Sequence, residues 1–134
     1  MEDANKYVNS KYGPTILRVV LGLLFILPGL NKLANPGMII GMLGQLGFPA
    51  AGLFGWILLL SEILFGAAVL VGWKLRYTVW PLVVVLAVAT LLVGLPALAK
   101  DPMAMINISF HLLGIAALIS LYLTGAGAMA VKQD

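Results

Sequence analysis

Glu62 is the residue around which any chemistry of this chain has to be arranged. It is the lone ionisable residue in residues 50–72, AAGLFGWILLLSEILFGAAVLVG, and it falls near the middle of that stretch. At about 1.5 Å of rise per residue, the stretch reaches across a bilayer core of roughly 30 Å. A charge at that depth costs on the order of 3 kcal/mol, so it is kept only when paired, protonated or turned toward water. Three roles fit such a carboxylate: a proton relay, a ligand contact, or the acid half of a buried structural ion pair.

Arg18 and His111 lie on other apolar stretches. Counting residues, Arg18 is about 6 Å inside one boundary, Glu62 about 15 Å from that same boundary, and His111 about 12 Å from the opposite one. The arginine stem is long enough to cover much of the gap by reaching inward. The expectation is a column of Arg18, Glu62 and His111 between the first, second and fourth spans, with Arg18 and Glu62 meeting directly or through one water. Lys32 and Asn31 are shallow on the far side. Asn107, one turn before His111, is one expected hydrogen-bond partner for the histidine, and Glu62 is the other. The candidate buried polar or ligand-binding site is therefore Arg18, Glu62, His111, Asn107 and Lys32.

Other chemistries are less well supplied. A lone histidine cannot provide both axial ligands of a haem. Met38, Met42, Met103 and Met105 gather toward one side, and thioethers suit Cu(I), but methionine also fills gaps in apolar packing. Asn107-Ile108-Ser109 is a glycosylation sequon inside an expected span, out of a transferase's reach. Gly37, Gly41 and Gly44 follow no strand and precede no Lys-Ser/Thr, so they form no phosphate loop. No metal site follows from these residues, and no catalytic residue is assigned.

The elements that position these groups follow from composition. The 134 residues are 62% hydrophobic and 10% charged, against about 25% charged in soluble domains, so the chain is expected to lie in a membrane as one four-helix domain over residues 1–134. The absence of cysteine excludes a disulfide, a CxxC redox centre and a cysteine-held cluster or zinc within the chain. A net charge of +3, scattered along the chain, does not point to nucleic acid. The polar start MEDANKYVNSKYGP lacks the basic region of a cleaved signal peptide, and a turn of interfacial helix around Tyr7 and Tyr12 is expected there.

Spans are expected at residues 14–33, 50–72, 77–98 and 103–124. In the first, Arg18, Gly22, Phe25, Gly29 and Lys32 recur at steps of four and three and share one face. Its glycines, with Gly66 on the second span, mark helix packing, because a missing side chain lets a neighbouring backbone approach. Pro28 should kink the first span. Asn35-Pro36 opens a stretch, residues 36–46, too short to cross; it should be an interfacial or re-entrant half-helix. The third span is nearly all apolar and is expected to have the most lipid contact. Asp101-Pro102 repeats the cap-and-proline start before the fourth, and residues 124–134 read as a short polar tail. Lys6, Lys11, Arg18, Lys74, Arg76 and Lys132 fall on one side of this topology, and Lys32 and Lys100 on the other. The positive-inside rule then puts both termini in the cytoplasm, as expected of a multi-pass protein of the plasma (inner) membrane.

In order and spacing these marks resemble the DoxX/DoxD family of small four-helix membrane proteins. The pattern runs Arg18-x3-Gly22-x2-Phe25-x3-Gly29-x2-Lys32-Leu33, then Gly47-x-Pro49, Glu62-x3-Gly66, Gly72-x3-Arg76 and Gly125-x-Gly127. Pro28 interrupts the first motif, the tail after Gly127 lacks the aromatic and acidic residues common in members, and His111 is not one of the marks. The resemblance implies four transmembrane helices and an association with membrane redox chemistry: some members are subunits of thiosulfate:quinone oxidoreductase, others belong to oxidative-stress complexes.

Two functional readings follow. In the first, the chain is a small subunit of a quinone-linked membrane oxidoreductase. Arg18, Glu62 and His111 would be the polar end of a quinone pocket, and electrons would come from a partner, since no complete catalytic centre or resident cofactor is evident. In the second, it is a non-enzymatic structural subunit, or a module that binds or carries a lipid-like molecule. Either reading expects other membrane subunits or further copies of the chain as partners.

Overall fold

A computed structural model describes residues 12–131. Its helices are α1 (Tyr12–Ala34), α2 (Pro36–Gln45), α3 (Ala51–Val71), α4 (Leu75–Ala97) and α5 (Ala104–Thr124). All but α2 are long and apolar enough to cross a membrane, so the protein is an all-α membrane bundle with a short helix between its first and second spans. The expected interfacial turn at Tyr7 lies outside the described residues.

Local chemistry sets the helix ends. Gly72, at φ 74°, ends α3 in a left-handed residue. Its N–H bonds the Val69 carbonyl, and the Trp73 N–H reaches back to Ala68, the paired bonds of a Schellman turn. Pro36 starts α2 as expected, but the Asn35 side chain makes no capping bond; the proline's fixed φ and missing N–H serve the start alone. Asp101 does act as a starter: its Oδ1 accepts the Met103 N–H at 2.9 Å, ahead of α5.

α4 departs from the expected regular span. It begins at Leu75, two residues early, and passes through a π-helical turn at Thr90–Gly94. There the Leu95 N–H bonds Thr90 O, and the Thr90 hydroxyl bonds Leu86 O at 2.8 Å. Apolar periodicity cannot reveal a one-residue widening, because the local composition stays the same.

α1 and α3 form the closest helix pair, α4 pairs mainly with α5, and α2 packs on α3. Glycines set the α1–α3 approach. A Cβ on Gly22 would sit 2.6 Å from Leu70 Cβ and 2.9 Å from the Gly66 carbonyl, and one on Gly29 would meet Ile63 at 2.7 Å and Glu62 Cβ at 3.3 Å. The Gly29 contact brings Glu62 level with the C-terminal third of α1. Two apolar cores flank this seam. One gathers Leu21, Phe25, Val69, Leu82 and Leu121 near the chain ends, and the other packs Ile39 and Leu43 of α2 on Leu59.

The described residues after α5, 125–131, form a packed plug instead of a free polar tail. Ala126 is wholly buried within the first core, and the Val131 N–H bonds Val71 O at 2.9 Å. The described chain ends therefore lie at the same end of the bundle.

Candidate functional site

A helix tilts every Cα–Cβ bond toward its own N-terminus. α1 and α3 run antiparallel, so Lys32 leans back toward the level of Glu62, and Glu62 leans outward toward Lys32. The two meet: Lys32 Nζ lies 2.8 Å from both Oε1 and Oε2 of the carboxylate. Glu62 is buried and Lys32 half-buried. One ammonium thus donates two hydrogen bonds to one carboxylate, leaving its third N–H for another acceptor.

The same tilt separates Arg18 from Glu62 and corrects the expected pair. Arg18 leans toward the N-terminus of α1, away from the midplane, and is 1% exposed. Its Nε donates to Ala126 O at 2.7 Å, Nη1 to Leu70 O at 2.7 Å and Nη2 to Ala128 O at 2.8 Å. Leu70 belongs to the last turn of α3, where carbonyls lack intrahelical donors and the helix dipole is negative. The plug supplies the other two acceptors, so the guanidinium is satisfied without a carboxylate. Arg18 is a latch at the chain-end face, outside the column expected from depth alone.

A groove of about 680 Å³ opens beside the Lys32–Glu62 pair, between α2, α3 and α4. Its walls are mostly aliphatic, with Ser61, Lys32, Glu62 and His111 as the polar contributors. Met42, Phe54, Ile57, Val84, Val88 and Leu92 line it and remain exposed, so the groove is open and not a closed cavity. The groove is thus an open, apolar recess among membrane-spanning helices. The π turn of α4 contributes Leu92 and Val93 to this wall.

His111 lines the groove, but the expected bond from Asn107 does not form. Asn107 is exposed, and His111 Nδ1 is buried with no hydrogen-bond partner. On α5 the two residues are one turn apart, yet they point to different surroundings. Of the expected site residues, Lys32, Glu62 and His111 come together at one groove, whereas Arg18 and Asn107 stand apart from it. Lys32 was placed too shallow because its Cα depth ignores a four-carbon stem leaning inward; the antiparallel tilt was the signal that could have found the pair. Among the described residues, no cluster of three or more His, Asp or Glu side chains could hold a metal ion.

The fold and this site define a small four-span membrane protein with an apolar groove over a buried ion pair. The DoxX family model matches residues 13–95, more than half of the chain, and the chain belongs to the DoxX family. The match takes in Arg18, Lys32 and Glu62 and ends in α4, before α5 and His111. No curated protein and no solved structure matches the chain.

Proposed function

We propose that this protein is a small subunit of a quinone-linked oxidoreductase in the plasma (inner) membrane, with both termini cytoplasmic and the groove as a quinone site. The observation that carries the reading is a buried ion pair lining an open, apolar groove among membrane-spanning helices. A ligand entering there must dissolve in hydrocarbon and carry a polar head, which describes a quinone with a prenyl tail. Apolar walls with a few convergent polar groups are the usual make-up of such sites.

In this reading the free N–H of Lys32 binds one carbonyl oxygen of the ring. Two electrons from a partner subunit and two protons convert the quinone to the quinol. Glu62, freed as Lys32 turns toward the reduced oxygen, is placed to pass a proton. The chain supplies binding and proton handling; the partner supplies the electrons. The apolar groove also fits the alternative, a non-enzymatic module that binds or carries another lipid-like molecule.

The test is purification from native membranes, followed by solvent extraction and identification of bound lipids and co-purifying chains. A stoichiometric quinone and a redox-active partner chain support the oxidoreductase reading. A phospholipid or other lipid in its place, with no redox partner, supports the carrier.

A further inference from the structure

His111 takes no part in the quinone chemistry assigned to Lys32 and Glu62. It lines the groove, it sits on α5 beyond the family match, and its Nδ1 is buried with no partner. Among the described residues it makes no hydrogen bond at either nitrogen. A neutral imidazole carries one N–H and one bare nitrogen. Burying an orphan N–H is rarer and costlier than burying an under-used acceptor. The proton therefore belongs on Nε2, which keeps the bare Nδ1 on the buried side and turns the donor Nε2–H to the accessible side.

We infer that His111 is a specificity residue, a hydrogen-bond donor that acts with Lys32 in the groove, and that the groove selects ring ligands with two carbonyl acceptors. This rests on the quinone-site reading and narrows it. Lys32 on α1 and His111 on α5 each bring a donor to the same cavity. A dicarbonyl ring satisfies both, and a monocarbonyl ring or a single-headed lipid satisfies one. The donors come from helices that do not adjoin in sequence, so the pair depends on the assembled bundle.

The experiment measures binding of two probes to the purified full chain in detergent by quenching of tryptophan fluorescence. One probe is a short-tailed 1,4-benzoquinone, the other a cyclohexenone bearing the same tail. His111→Leu removes the donor, and His111→Gln places an amide N–H near the position of Nε2. His111→Leu is expected to weaken the benzoquinone about tenfold, as loss of one hydrogen bond does, and to leave the cyclohexenone unchanged. His111→Gln should recover most of the benzoquinone affinity. Because leucine replaces an unpartnered buried nitrogen, His111→Leu should unfold at a temperature no lower than the parent, which separates lost binding from lost folding. Equal effects of His111→Leu on both probes, or none on the benzoquinone, overturn the inference while leaving the quinone site standing. A parent protein that binds neither probe overturns the quinone site, and this inference with it.

Discussion

Lys32 closes on Glu62 across the α1–α3 seam, one ammonium 2.8 Å from each oxygen of a buried carboxylate. Gly29 makes this geometry possible: one turn before Lys32, it leaves room for the α3 backbone to approach and for Glu62 Cβ to sit beside it. The spacings Gly29-x2-Lys32 and Glu62-x3-Gly66 are thus one object in space, an ion pair bracketed by close helix contacts.

If the pair is structural as well as functional, Lys32→Met or Glu62→Gln alone should destabilise the protein by on the order of 3 kcal/mol, because each change leaves a partner without its mate in a low-dielectric site. Lys32→Met combined with Glu62→Gln should recover much of that loss, since neither charge remains. Denaturant or thermal unfolding in one fixed detergent measures the cycle. Strictly additive losses would show that the two side chains do not couple.

Arg18 should be a stability residue whose loss leaves ligand binding intact. Arg18→Met forfeits three charge-assisted hydrogen bonds, and deletion of residues 125–134 removes two of their acceptors, Ala126 O and Ala128 O. Each change is expected to cost on the order of 2–4 kcal/mol. The deletion strands the guanidinium, so adding Arg18→Met to it should cost little more or even restore stability. Unfolding temperatures of the two single variants and the combination give the answer, and a combined loss equal to the sum would rule out the latch.

The glycines separate into two classes. Gly22→Ala would force a Cβ to 2.6 Å from Leu70 Cβ and 2.9 Å from a carbonyl, so it should pry α1 from α3 and destabilise by about 2 kcal/mol or more. Gly41→Ala, on α2, faces open space, and alanine's better helix propensity should stabilise by about 0.5–1 kcal/mol. Comparative melting of the two variants tests whether close approach, and not glycine content, holds the bundle.

The spans, the half-helix and the glycine faces were legible because they depend on local pattern: apolar run length, a proline start and a spacing of three and four. Partner choice was not local. Depth along each helix puts Arg18 within reach of Glu62, yet side-chain tilt sends Arg18 toward the chain ends and Lys32 toward the midplane. Arg18's true acceptors, Ala126 and Ala128, are backbone carbonyls in an irregular segment, and no residue type announces them. The π turn of α4 leaves no mark on hydropathy either, and Asn107 and His111 share a spacing without sharing surroundings.

The proposed orientation rests on the six-to-two distribution of basic residues, of which Lys6, Lys11 and Lys132 lie outside the described residues. A reporter enzyme active only in the cytoplasm, fused after residue 134, should be active. A reporter that requires export and works at the same junction would reverse the topology and put the plug on the outer face.

The groove as a quinone site is tested most directly by photolabelling. An azido-substituted short-tailed quinone, irradiated with the purified protein and mapped by peptide mass spectrometry, should attach to groove residues of α3 and α4 such as Leu58, Val85 and Ala89. Excess unlabelled quinone should suppress that labelling, and Lys32→Met should weaken it several-fold. Labels scattered over lipid-facing positions of α5 such as Leu113 and Leu123, undiminished by competitor, would contradict the site.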